Sequence, residues 1–166
     1  MKTLSIAAAA LLLAACAEQS VAPQSKRGNL AVSANDNKAI LVNGVTTAVP
    51  NASPDTVALI DLSVSPPRLV SEIDVPASVV GPPSSVAVAP DESIALVTAA
   101  MRIEGGKQVP NDKVSVIDLT VLPPRVINTL TAGAGVAGIS INRQGTLGLA
   151  AKRSEGAVSV FTLEGK

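Results

Sequence analysis

Short runs of apolar residues, separated by polar turns, follow one another along the chain from residue 29 onward. The run Val57–Leu62, with the sequence VALIDL, recurs as VSVIDL at Val114–Leu119, and a looser copy is VSVFTL at Val158–Leu163. Asp61 and Asp118 occupy the same place in the first two copies, 57 residues apart. Val and Ile are residues that a pleated strand prefers, so each copy predicts a β-strand.

Two further patterns surround these copies. Before each copy comes a short apolar strand, a tight polar turn and another short apolar strand. After the first two copies, Pro-Pro-Arg introduces one more apolar run. Together the patterns predict two units of four strands and a third unit of three. The predicted strands are 29–34, 38–43, 56–62 and 69–75, then 84–89, 93–99, 113–119 and 125–131, then 137–142, 146–151 and 157–163.

Four-stranded units repeated at this period are typical of β-propeller blades. We therefore expect an all-β fold, a partial β-propeller of about three four-stranded antiparallel blades with the third incomplete. The expected blade boundaries are 29–80, 81–133 and 134–166. The strand Val114–Leu119 carries apolar side chains on both faces, which suits sheets that are stacked on neighbouring sheets.

The first 15 residues differ from the rest, because they form one apolar stretch behind Lys2. This stretch has the length of a signal-peptide helix and is too short to span a bilayer. The sequence LAAC at Leu13–Cys16 resembles the bacterial lipobox. The resemblance implies cleavage before Cys16 and lipid on its thiol; the alternative is an ordinary secretory signal with a chance cysteine. Residues 16–28 are polar and predict a flexible tether.

Several acyl chains on one residue would exceed the threshold for durable membrane anchoring. Ala17 stands where an Asp would imply retention at the inner membrane, by resemblance to enterobacterial sorting. We therefore expect an exported protein that is lipid-anchored to a bacterial membrane, with the outer membrane favoured. It would face the periplasm or the cell surface.

The repeated strands also resemble the YVTN β-propeller repeat of bacterial and archaeal surface and periplasmic proteins, related in shape to lactonase-like and WD-like propellers. The matching segments are Ser85–Asp91 (SVAVAPD), Ala95–Ala99 (ALVTA) and Lys113–Leu119 (KVSVIDL). The family's tyrosine before Val-Thr is replaced by Leu96. The resemblance covers about residues 29–166 and implies a propeller shape without a fixed activity.

A closed propeller needs roughly four to eight blades, and this sequence predicts fewer than three complete ones. An incomplete ring would expose strand edges and an apolar blade face. We therefore expect the sequence to be a fragment of a longer propeller. Assembly of several copies into a ring and a compact β-sandwich are the alternatives.

Composition excludes several kinds of chemistry. The chain has no His and only one Cys, so Ser-His-Asp and Cys-His catalysis, His-ligated metals and disulfides are excluded. Lys and Arg together number 13, as do Asp and Glu, and aromatic residues make up 1% of the chain. Nucleic acid is therefore not an expected partner. We expect no cofactor, no metal and no catalytic residue, although oxygen-only calcium or magnesium sites stay open.

Three pairs of repeated polar residues could be sites or structural features. Asp61 and Asp118 end equivalent strands and could line a channel, but a carboxylate that accepts backbone hydrogen bonds in a turn is favoured. Turn chemistry also explains Asp36 and Asp91. Arg68 and Arg125 could meet an anion, but a repeated structural role before the next strand is favoured.

Two loops, 44–55 and 100–112, break the repeat and are the best candidates for a ligand site, because function usually lies in loops on a rigid scaffold. Neutral variation is the alternative. The candidate residues are Asn51, Asp55, Arg102, Glu104, Lys107, Asn111 and Asp112.

The favoured function is a non-catalytic binding or scaffold module, anchored to the membrane by lipid, with a protein or a small molecule as ligand. The main alternative is a lactonase-like or other hydrolytic propeller whose catalytic residues lie partly in missing blades. A subunit resembling the propeller part of quinone-dependent dehydrogenases is a third hypothesis, for which the sequence supplies no cofactor site.

Overall fold

The computed structural model of the chain describes residues 29–78 and 84–164. The expected signal peptide (residues 1–15), the expected lipid site Cys16 and the expected tether (16–28) all lie outside these residues. In the described part, twelve strands and no helix are formed, so the expected all-β class is confirmed. No helix in this part is long and apolar enough to cross a membrane. The strands are β1 (Leu30–Asn35), β2 (Ala39–Val42), β3 (Val45–Ala48), β4 (Thr56–Asp61), β5 (Arg68–Asp74), β6 (Val86–Val88), β7 (Ile94–Glu104), β8 (Lys107–Asp118), β9 (Arg125–Thr131), β10 (Val136–Ile141), β11 (Leu147–Lys152) and β12 (Ala157–Thr162).

The strands form three small antiparallel sheets and one separate hairpin. The first sheet has the order β1-β4-β5, the second β6-β7-β8-β9 and the third β10-β11-β12, while β2 pairs only with β3. The second sheet has the four-strand order expected of one unit, and the third has the three strands expected of the last unit. The described strands do not close into a ring.

The arrangement predicted for the first unit is wrong at its second strand. Strand 38–43 was expected beside strand 29–34, but β1 pairs directly with β4, with Leu30 opposite Asp61. In the second sheet β7 pairs with β8 in the same register, with Ile94 opposite Asp118. Strand β1 is therefore the counterpart of β7 and not of β6.

The reason lies in the Asn43-Gly44 turn. Both residues adopt positive φ, 50° and 80°, as a tight two-residue hairpin turn requires, and Asn-Gly is the sequence that favours it. The run Ala39–Val42 therefore folds back on β3 instead of joining the first sheet. The expected loop 44–55 accordingly contains a strand.

The prediction of a loop at residues 100–112 is also wrong, because β7 and β8 continue through these residues as a long hairpin. Gly105 and Gly106 form its turn with φ of 55° and 75°, values that glycine adopts without a side-chain clash. Pairing continues to Glu104 opposite Lys107.

Equivalent backbone hydrogen bonds show that the three sheets share one register. The amide of Leu62 donates to the carbonyl oxygen of Asn29 at 2.7 Å, and the amide of Leu119 donates to that of Ser93 at 2.9 Å. In the third sheet, the amide of Leu163 donates in the same way to the carbonyl oxygen of Thr146, at 2.9 Å. Strands β1, β7 and β11 are thus counterparts, as are β4, β8 and β12.

The core consists of two layers, one on each face of the second sheet. Because side chains alternate along a strand, Val97 and Ile117 lie in one apolar cluster, and Leu96 and Val114 lie in the other. The first cluster joins the second sheet to the first, through residues such as Val57. The second joins it to the third sheet. Its buried members are Leu96, Val114, Ala132, Val136, Ile139 and Ala150.

Candidate functional site

Two hairpins extend from equivalent connections of the first and second sheets. The first arm is the β2–β3 hairpin, Ala39–Ala48, which lies between β1 and β4. The second arm is the outer part of β7 and β8, from Met101 to Pro110. Because β1 and β4 correspond to β7 and β8, the two arms leave the same end of neighbouring sheets. In the third sheet this connection is a short turn at residues 153–156.

The first arm exposes apolar side chains at its tip. Leu41 is 72% exposed and Val45 is 65% exposed, and Ile40 and Val42 are also largely exposed. By the register of the hairpin, Ile40, Val42 and Val45 share one face and Leu41 lies on the other, so both faces expose apolar side chains. A two-stranded hairpin has little stability in water by itself, and exposed apolar side chains that lie together usually mark a place of contact. The first arm is thus the strongest candidate for a docking element among the described residues.

The second arm is charged instead of apolar. Arg102 Nη2 lies 3.1 Å from Glu104 Oε2, and Arg102 Nη1 donates to the Pro110 carbonyl oxygen at 2.8 Å. Lys107 lies exposed at the far end of the hairpin. An exposed pair of this kind contributes about 0–1 kcal/mol to stability, so these charges remain available to a partner.

The structure brings together only some of the candidate residues. Arg102, Glu104 and Lys107 share the second arm. Asn51 lies in an exposed turn with a φ of 53°, away from any strand. Asp112 lies nearer the sheet, where its carboxylate is 3.1 Å from Lys113 Nζ. The Asn111 side chain accepts a hydrogen bond from the Asp112 amide, so it helps to shape the chain there.

Asp55 belongs to a cluster at the base of the first arm. Lys38 Nζ lies 2.7 Å from Asp55 Oδ2 and 3.1 Å from Asp36 Oδ1, and it also donates to the Ala77 carbonyl oxygen. Asp55 also accepts hydrogen bonds from the amides of Asn37, at 3.0 Å, and Ala77, at 3.2 Å. Both oxygens of the Asp55 carboxylate are therefore engaged, and the cluster holds the arm against the segment after β5.

Asp61 and Asp118 form the same turn in the first two sheets. Asp118 Oδ1 accepts the Thr120 amide at 2.9 Å and its hydroxyl at 2.6 Å, and Asp61 does the same with Ser63. These hydroxyl bonds, then the amide bonds and the nearby arginine, lower the pKa of each carboxylate from its ordinary value of 3.8. The arrangement fits the favoured structural role.

Arg68 and Arg125 each lie beside the aspartate of their own sheet. Arg68 Nη2 is 3.4 Å from Asp61 Oδ2, and Arg125 Nη2 is 3.5 Å from Asp118 Oδ2. Both arginines are largely exposed and point to separate carboxylates. The structure therefore does not combine them into one anion site.

Within residues 29–78 and 84–164, no group of three or more His, Cys, Asp or Glu side chains could hold a metal ion. Sequence reasoning missed the apolar first arm, although Asn43-Gly44 between apolar residues was a signal for it. It also missed Lys38, because nothing in the local sequence indicates that Asp55 lies beside it.

Comparison with known proteins gives a distant structural likeness. No family model and no curated protein matches the chain. Among solved structures, the chain is similar to Kuenenia stuttgartiensis hydrazine synthase, with 13% identity and a TM-score of 0.48. The similarity covers 72% of this chain and 36% of that chain, so this chain spans little more than a third of its length. A likeness of this degree carries no information about activity.

Proposed function

We propose that the chain is a lipid-anchored module of the bacterial cell envelope that binds a partner without catalysis, through the first arm. The observation that carries this proposal is the apolar tip of that arm, where Leu41 is 72% exposed. The sheets behind it form the scaffold, and the charged second arm lies on the neighbouring sheet.

We also propose that the three sheets are blades of a β-propeller. The strand pairs β1–β4, β7–β8 and β11–β12 share a register, the first sheet packs against the second, and the second packs against the third. Repetition of one sheet face to face is how propellers are built. The arms then extend from equivalent blade connections, which is where loops on a rigid scaffold gain function.

The chemistry of the described residues favours binding over hydrolysis. The two repeated carboxylates, Asp61 and Asp118, are held in turns by Ser63 and Thr120, and their pKa values are lowered. A general acid would need the opposite shift. The chain also contains no His that could act as a base.

The anchor is tested by lipid labelling in cells. The sequence LAAC at Leu13–Cys16 supplies the thiol on which the proposed anchoring depends. We expect radiolabelled palmitate on the wild-type chain and none on the Cys16→Ala variant. Continued labelling of that variant would reject the proposed lipid site.

The docking role of the first arm is tested by photo-crosslinking in intact cells. A photoreactive residue replaces Leu41 in one variant and Leu122 in the control, which is apolar and 68% exposed but lies outside both arms. We expect a discrete adduct with an envelope component from position 41 and none from position 122. Equal adducts from both positions, or none from position 41, would contradict a docking arm.

The absence of catalysis is tested with a panel of lactones. We expect no hydrolysis above background by the purified chain. Hydrolysis that is lost in the Asp61→Asn or Asp118→Asn variant would favour the lactonase-like alternative.

A further inference from the structure

The third sheet has one apolar face that is open to solvent. Its strands β11 and β12 place four large aliphatic side chains there, with Leu149 opposite Val160 in the register. Leu149 is 47% exposed, Val158 is 59% exposed and Val160 is 62% exposed. A soluble chain rarely leaves such a continuous patch uncovered.

The repeat shows what covers this face in the other two sheets. Leu149 and Val158 are the counterparts of Leu96 and Val114, both 0% exposed, which lie in the cluster between the second and third sheets. In the first sheet, the counterpart of Val158 is Val57, which is 2% exposed and lies in the cluster with the second sheet. In both cases the cover is the opposite face of the next sheet.

On the opposite face, a small residue lies beneath the covering aliphatic side chain, which is Val32 in the first sheet and Leu96 in the second. Gly148 has this role in the third sheet, where an added Cβ would lie 3.2 Å from Leu96 Cδ1. Ala95 occupies the same register position in the second sheet, and Ala31 occupies it in the first. The small residue is therefore repeated in all three sheets.

The first sheet carries such a receiving face, with Ala31, Ser33 and Ile60 half-buried on it. Ile60 is the counterpart of Ile117, which is fully buried beneath the first sheet. One chain therefore carries a covering face on its third sheet and a receiving face on its first. Each is the type of face that the molecule already pairs twice.

From this repetition we infer that two copies of the chain associate head to tail, with the third sheet of each copy packed on the first sheet of the other. The two contacts are identical and related by a two-fold axis, so they close a ring of six sheets. Closed head-to-tail contacts form rings, and propellers contain roughly four to eight blades. The inference is independent of the proposed docking arm, because it uses neither arm.

Disulfide crosslinking tests which faces meet. Within one chain, Leu96 of the second sheet lies against Gly148 of the third. Leu149 is the counterpart of Leu96 and Ala31 is the counterpart of Gly148, so Leu149 of one copy should lie against Ala31 of the other. Cys16 is replaced by Ala in every full-length variant, so that the engineered thiols are the only ones. We expect a chain with both Leu149→Cys and Ala31→Cys to form a crosslinked dimer on oxidation.

The single-cysteine variants are the matched controls. Neither Leu149→Cys nor Ala31→Cys should crosslink alone, whereas a mixture of the two should. A dimer from Leu149→Cys alone would show that two third sheets face each other and would overturn the head-to-tail arrangement. No crosslink from the double variant would also overturn it.

Sedimentation of the full-length chain in detergent tests the number of copies. We expect twice the mass that the same preparation gives for one chain under denaturing conditions. The Val160→Lys variant places a charge in both contacts, so the dimer dissociation constant should rise roughly 100-fold or more. Leu122→Lys replaces an equally exposed residue away from both faces, and we expect a change of less than about twofold.

Three results would overturn the ring. One is a wild-type chain that sediments as a monomer at high micromolar concentration, and another is a larger assembly. The third is equal weakening by Val160→Lys and Leu122→Lys. Far-ultraviolet circular dichroism of each variant separates loss of association from loss of folding. These results leave the position 41 crosslink unaffected, so failure of either proposal can be distinguished.

Discussion

Strand β8 of the second sheet and strand β12 of the third carry similar apolar residues in the same register but meet different surroundings. Val114 in the second sheet is fully buried, and Val158 at the same position in the third is 59% exposed. The segments that begin with these two residues, VSVID and VSVFT, share their first three residues. The comparison teaches that the apolar pattern of a strand specifies a face that can be covered, and that only the neighbouring sheet decides whether it is.

Truncation of equivalent leucines should give the largest difference between the two sheets. Leu96→Ala leaves a cavity in the closed cluster, and we expect it to lower the free energy of unfolding by about 3 kcal/mol. Leu149→Ala removes a half-exposed side chain and should cost less than about 1 kcal/mol in a single chain. Urea unfolding at high dilution, where single chains prevail, measures both. Equal costs would mean that the third sheet is covered within one chain.

Overpacking at the small residues should give an intermediate effect. Gly148→Val pushes a branched side chain against Leu96 and Phe161, so we expect a loss of about 1–3 kcal/mol. Ala31→Val is the matched control in the first sheet, where the described residues place no further sheet over this position. Its cost in a single chain should stay within about 0.5 kcal/mol by thermal unfolding. A large cost at Ala31 would show that the receiving face is already filled.

The aspartate turn should give the smallest effect. Because the pKa of Asp118 in the folded chain lies below 3.8, its carboxylate stabilises the fold above that pH, and this is lost as the pH falls through the lowered pKa. We expect Asp118→Asn to be less stable than wild type at neutral pH, with a difference that shrinks from about pH 5 downward. In the third sheet, Thr162 stands at this position and gives no such dependence.

Carboxyl-carbon NMR titration isolates the cause of that shift. Thr120→Ala removes the hydroxyl that is its largest cause, so the pKa of Asp118 should rise towards 3.8. The pKa of Asp61, whose partner is Ser63, should stay unchanged. A shift at both sites would point to a general change in the fold.

The repeat of VALIDL and VSVIDL was sufficient to predict β4 and the second half of β8, from residue 113 to 118, because alternating Val and Ile with a closing Asp specifies a strand and its turn. It also predicted the four strands of the second sheet. The role of Asp61 and Asp118 in turns was predictable for the same reason, since a carboxylate two residues before a Ser or Thr forms such a turn locally.

The position of β1 was not predictable from the same patterns. Both the β6–β7 pair and the β1–β2 segment consist of an apolar strand, a polar turn and another apolar strand. Only pairing partners distinguish them, and pairing between β1 and β4 is a long-range property. The two-residue turns at Asn43-Gly44 and Gly105-Gly106 were local signals for the arms. They were missed because each unit already had four predicted strands without the strands of the arms.

The cluster around Lys38 fixes the base of the first arm while its tip stays in solvent. The hairpin is therefore fixed at its base, and its exposed end extends away from the contacts that hold it. A partner that grips Leu41 or Val45 would need to order only a few side chains, since the direction of the hairpin is set beforehand. The Lys38→Met variant would remove the ion pairs that fix the base of the first arm. We expect the hairpin then to change direction more freely and to bind a partner more slowly, although no residue that contacts the partner is changed.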